Sequence, residues 1–190
     1  MDIVKRIEGI LLRPQEEWLR IKSEPTTTAR LFRSYILLLA AIPAVFQLLE
    51  RVLIEKLPMV GHWPVGRALI SAVVSYVLDL ATIYVFALVI DELAPTFASV
   101  KNMTGALKLA AYSMTPVWLA GVFSIIPRFW APGIIAGLYG FFLLYLGFDA
   151  PLMETPKKRV FGYVALAVVV IIVLNFVSWL IKTAFAVRSM

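Results

Sequence analysis

The chain has 190 residues, of which 61% are hydrophobic and only 16% charged, and its formal net charge is +6. Soluble domains carry about 25% charged residues, so this composition, with a mean hydropathy of +0.87, excludes an ordinary water-soluble domain. Cysteine is absent, which rules out disulfides and thiolate metal sites. The basic residues are scattered through loops. Such an excess marks segments held beside anionic lipid rather than a nucleic-acid surface.

The first thirty residues form an amphipathic arm. Ile3, Ile7, Ile10 and Leu11 fall on one helical face, while Lys5, Arg6, Glu8 and Arg13 lie largely elsewhere. Pro14 suits the first turn of a second short helix, with Glu16 and Glu17 favourable near its N-terminus and Trp18 on its apolar side. The arm is expected to lie on the inner leaflet as an interfacial helix, or to dock a cytoplasmic partner. Glu24-Pro25-Thr26-Thr27-Thr28 then breaks it and offers hydroxyl caps for the first span. The N-terminus lacks the apolar core and cleavage site of a signal peptide, so that span is expected to direct insertion.

Five apolar runs occupy the rest of the chain. They cover about Leu31 to Leu53 (interrupted by Pro43), Ala68 to Ile90, Leu107 to Ile126 (containing Pro116), Gly133 to Phe148 and Val160 to Ile181. Several approach or exceed the ~18 residues that cross a bilayer core. They are too long and too continuously apolar for barrel strands. The predicted fold is therefore an all-α polytopic bundle of five spans over residues 31–190, preceded by the arm over residues 1–30.

Charge sets the expected topology. The arm carries Lys5, Arg6, Arg13, Arg20, Lys22, Arg30 and Arg33; the loop before the third span brings Lys101 and Lys108, and that before the fifth Lys157, Lys158 and Arg159. Two thirds of the 18 basic residues thus fall on one side, which predicts a cytoplasmic N-terminus and an external C-terminus. In the opposite loops, His62 and Trp63, and later Arg128, Phe129 and Trp130, read as interfacial anchors.

Asp79, in the middle of the second span, is the main chemical clue. A carboxylate at that depth costs several kcal/mol unless solvated or neutralised, so it should face the bundle interior. Ser71, Ser75, Asp79 and Thr82 recur at helical spacing and form one polar stripe. No lysine or arginine lies at comparable depth in another span, so Asp79 is expected to be protonated or held by hydroxyl donors. Gln47 and Glu50 on the first span, Ser113 and Thr115 on the third, and Asn175, Ser178 and Lys182 on the fifth complete an expected polar seam. Glu50 and Lys182 are expected to approach one another at its mouth. Gly133 and Gly137 have the small-xxx-small spacing that permits close helix approach. No HExxH, glycine-flanked serine or phosphate-cradling loop occurs, and Glu16-Glu17 and the Asp79/Asp149 pair do not match membrane-protease patterns. No enzyme, cofactor or metal site is expected.

Ala111-Tyr112-Ser113-Met114-Thr115-Pro116 resembles the G-Y-S-x-x-P signature of the Yip (Ypt-interacting protein) family. Asp79-Leu80 resembles the start of its D-L-Y-G-P motif. Leu138-Tyr139-Gly140 with Leu143-Leu144-Tyr145-Leu146-Gly147 resembles its fourth span, and Pro14 to Trp18 resembles the arm of its bacterial inner-membrane branch. The likeness covers most of the chain in the family's order. It implies five spans, a cytoplasmic N-terminus and a bacterial inner-membrane location, and it gives Asp79, Leu80, Tyr112, Ser113 and Pro116 as motif positions. Eukaryotic members bind Rab-type GTPases. Ala81, Thr82 and Ala111 depart from the motifs, and the long cytoplasmic domain of those members is missing, so GTPase binding is not carried over. The leading expectation is a non-enzymatic scaffold or adaptor organising lipids, a membrane protein or a cytoplasmic partner at the arm. The alternative is a small transporter, channel or lipid-translocating protein using the Asp79 seam. A hydrated cavity at Asp79 favours transport; a dry, packed seam favours scaffolding.

Overall fold

The structure, a computed structural model, describes residues 2–54, 65–126, 129–150 and 152–188. The expected interfacial roles of His62, Trp63 and Arg128 lie outside these residues. Among the described residues there is no strand, and five helical segments are long and apolar enough to cross a bilayer: Thr28–Leu53, Val65–Phe97, Met103–Ile125, Ala131–Asp149 and Lys157–Phe185. They match the five apolar runs and make the chain an all-α polytopic membrane protein. The fourth has 19 residues, enough to span.

Two short helices precede the bundle, α1 (Ile3–Leu12) and α2 (Pro14–Ser23). Asp2 caps α1 by accepting from the Val4 and Lys5 amides. Pro14 opens α2, where its missing N–H costs nothing. Thr27 caps the first span by accepting from the Arg30 amide. That span contains a π-helical turn, Phe32–Ile36, and then runs as one α-helix, Leu37–Ile54, with Pro43 inside it and not at a break.

The third span is the axis of the bundle. Sixty-one per cent of its most apolar stretch is buried, against 17–33% in the other four. Ala106, Leu107, Leu109, Ala110 and Ala111 are fully buried; the small residues let neighbouring helices approach closely. The span turns at Met114 between two helices, Met103–Ser113 and Thr115–Ala120, because Pro116 cannot donate to the ladder. The outward faces of the other spans are apolar: Val73, Val77, Phe161, Ile172 and Phe176 are all more than half exposed. Such faces suit hydrocarbon and would be a liability in water.

The close contacts of the fourth span differ from those its glycine spacing suggested. Gly133 and Gly137 face open space, whereas a Cβ on Gly140 would lie 2.8 Å from the Ser113 carbonyl oxygen. Backbone cannot yield as a side chain can. Gly140→Leu is therefore expected to lower stability by about 1–3 kcal/mol, as overpacking does. Gly137→Leu should melt like wild type. Thermal unfolding of the two variants in detergent checks the contrast.

The arm packs against the bundle. Ile10, Trp18 and Ile21 belong to the same buried cluster as the spans, and Ile3, Ile7 and Leu11 are partly buried against it. This corrects the expectation that Ile3, Ile7, Ile10, Leu11 and Trp18 lie on the leaflet. A second helix folds back beside the first, and their joint apolar face finds protein before lipid. The Leu11 carbonyl, left free at the end of α1, accepts from the Tyr139 hydroxyl at 2.7 Å.

Candidate functional site

At the end of the bundle away from the arm the helices do not close. A cavity of about 310 Å³ is lined from all five spans, with Gln47, Asp79, Thr82, Trp118, Ser124 and Asn175 among its walls and Phe129 and Trp130 at its edge. A second, of about 480 Å³, lies between the first, second and fifth spans. Arg51, Ser71, Ser75, Ser178, Lys182 and Thr183 line it, and it shares Gln47 and Asn175 with the first. Both volumes fall within the ~300–1,000 Å³ usual for ligand pockets.

The Asp79–Lys182 pair joins the two chambers, Asp79 lining the first and Lys182 the second. Lys182 Nζ donates to Asp79 Oδ1 at 2.7 Å, and both side chains remain about a quarter exposed (28% and 24%). The expectation that no cation reaches Asp79 is therefore corrected. The Lys182 Cα lies near the C-terminal end of its helix, but Cα–Cβ bonds tilt toward a helix N-terminus, so its ammonium is directed back toward mid-membrane. Glu50 is half-buried on the first span, and no Glu50–Lys182 ion pair forms among the described residues. Arg51 donates to the Ser71 hydroxyl. The Asn175 amide donates to the Ile171 carbonyl at 2.8 Å, within its own helix, leaving its carbonyl oxygen for the chamber.

The sequence-derived constellation divides in two. Ser71, Ser75, Asp79, Thr82 and Asn175 line the chambers. Leu80 packs against the buried core. Tyr112, Ser113 and Pro116 are buried in the half nearer the arm, apart from the seam. Here the Tyr112 ring meets Trp18 edge-on at 6.1 Å and Tyr35 at 4.8 Å, while the Arg6 guanidinium sits 5.6 Å from its centroid. Thr115, assigned to the seam, instead pairs with the Tyr35 hydroxyl at 2.7 Å; both are fully buried. This aromatic layer closes the bundle on the arm side.

Sequence reasoning did not find the ionic cluster beneath that layer. Arg6 donates to Glu17 and to Glu24, and the Arg6 and Glu17 side chains are 8% and 7% exposed. The Lys108 ammonium donates to the Ile21 and Glu24 carbonyls at 2.6 and 2.8 Å, tying the end of the arm to the third span. A lysine inside the small-residue run Ala106–Ala111 was the available signal, because such a charge needs dedicated acceptors.

The Yip1 domain profile matches residues 9–178. The chain is 28% identical over 152 residues to "Inner membrane protein YohC" of Escherichia coli strain K12, covering 76% of this chain and 77% of that protein; the counterpart from strain CFT073 matches equally. No solved structure matches. The chain belongs to the Yip1 domain family.

Proposed function

We propose that this Yip1-family protein is a non-enzymatic transporter of the inner membrane, which admits a small polar or amphiphilic ligand to the chambers around Asp79. One observation carries the proposal: a cavity walled by all five spans reaches Asp79, one member of an intramembrane ion pair whose side chains stay about a quarter exposed (28% and 24%). Charged groups inside a bundle are costly to keep, and hydrogen-bonding glue between helices does not require space around them. The charge bias favours an arm in the cytoplasm; in that orientation the chambers open outward and the Tyr35–Tyr112–Trp18 layer seals the inner side. The inner-membrane location follows the relative's name and the five spans.

Reconstitution into vesicles tests this by following ion flux and lipid scrambling. Asp79→Asn removes one charge of the pair and is expected to cut the transported species at least tenfold. Lys182→Met should do the same. Transport equal to that of empty vesicles, or unaffected by both variants, would defeat the proposal.

A second reading is favoured by the outer face of the arm. Val4 and Leu12 are 72% exposed and Leu19 61%, and their apolar surface suits an adaptor held against lipid or a partner protein.

A further inference from the structure

The two chambers carry opposite chemistry. In the first, Asp79 is the sole charged residue among the described walls, and it is accompanied by the rings of Trp118, Phe129 and Trp130. In the second the charges are Arg51 and Lys182, surrounded by serine and threonine hydroxyls. An acid beside aromatic faces is a setting for an ammonium group, which is drawn both to the carboxylate and to the ring quadrupole. Two cations amid hydroxyl donors suit a phosphate or carboxylate. The chambers meet at Asp79 and Lys182, 2.7 Å apart. A ligand bridging them must carry its two charges only a few bonds apart.

Unspent hydrogen-bonding capacity points the same way. Asp79 uses Oδ1 for Lys182, and Oδ2 has no hydrogen-bond partner among the described residues. The Ser124 hydroxyl in the first chamber and the Ser178 hydroxyl in the second are buried without a hydrogen-bond partner among the described residues. Buried polar groups are nearly always satisfied. Each chamber thus holds both an orphaned hydroxyl and a charge suited to one end of the same ligand.

We propose that the joined chambers bind a zwitterion, its ammonium between Asp79 and Trp118 and its anionic group at Lys182 and Arg51. In a bilayer the matching chemistry is an ethanolamine phospholipid headgroup; a free amino-phosphate has the same two ends. Vacant, Asp79 and Lys182 neutralise each other. Occupied, each keeps its partner and gains a ligand charge, so no buried ion is stranded. This deepens the transport proposal by naming the ligand class.

The test is equilibrium binding to the full-length protein in detergent, read by native mass spectrometry and thermal shift. The probes are dioleoyl phosphatidylethanolamine, its N-acetylated form, which lacks the ammonium charge, and free phosphoethanolamine. The amine lipid is expected to bind at least tenfold tighter than the N-acetylated lipid. Asp79→Asn and, should that variant fold poorly, Trp118→Leu should erase this preference, while Arg51→Gln should weaken both lipids together. Competition by free phosphoethanolamine would place the site with soluble zwitterions, and its failure to compete would place it with lipid. Equal binding of the two lipids, or a preference that survives both Asp79→Asn and Trp118→Leu, would overturn the assignment. Amine-selective binding without transport in vesicles would sink the transport proposal alone. Transport without amine selectivity would sink the zwitterion site alone.

Discussion

Replacing Arg6 with methionine should destabilise the protein by about 3–5 kcal/mol, the usual cost of leaving one member of a buried ion pair alone. The Arg6 guanidinium serves Glu17, Glu24 and the Tyr112 ring together. Without it the Glu17 carboxylate, 7% exposed, has among the described residues only Arg20, at 3.5 Å from the open side. That contact places the loss toward the lower end of the range. Removing both charges in Arg6→Met/Glu17→Leu should restore most of the stability, because apolar side chains of similar volume replace such pairs at little cost. Thermal unfolding in detergent measures the three variants, and trypsin cleavage after Arg20 reports release of the arm. An Arg6→Met protein that melts and digests like wild type would refute the role given to this cluster.

Trp18→Ala should cost about 3–5 kcal/mol, as truncating a large buried aromatic does. Trp18 is 1% exposed, meets Tyr112 edge-on, and lies so near the fourth span that a Cβ on Gly147 would stand 2.8 Å from its ring. Its indole nitrogen is buried with no hydrogen-bond partner among the described residues. Trp18→Phe therefore removes an unsatisfied donor along with part of the ring, and should be markedly milder than the alanine variant. The spans themselves should keep their helices, so circular dichroism at low temperature should be unchanged while the melting point falls. Arg6 and Trp18 share Tyr112 as a neighbour, so the combined loss should fall short of the sum of the two. Equal melting of the alanine and phenylalanine variants would argue against the packing account.

The spans were legible because hydrocarbon thickness sets their length, and no tertiary contact alters that requirement. Pro14 and Thr27 were legible because helix starts obey local chemistry. The stripe from Ser71 to Thr82 was legible because helical spacing fixes which residues share a face. Lys182 was misplaced because depth was judged from its position along the chain, whereas its side chain extends several ångströms back toward the membrane centre. The arm was misread for another reason: periodicity identifies an apolar face but not what covers it. Tyr112 and Ser113 carry the family's signature, and the signature says nothing of which half of the bundle they occupy. That half was decided by Trp18 and Arg6, far earlier in the chain.

The central position of the third span bears on how the molecule is made. Its mean hydropathy, 1.2, is the lowest of the five, and Lys108 near its start finds its acceptors on the folded arm. A segment so weakly attracted to lipid gains little by leaving the translocation channel alone. Its covering surface on the fourth span is translated after it. The growing chain must therefore retain this segment at the channel's lateral gate, held by the arm and the first two spans, until the fourth emerges and packs against it.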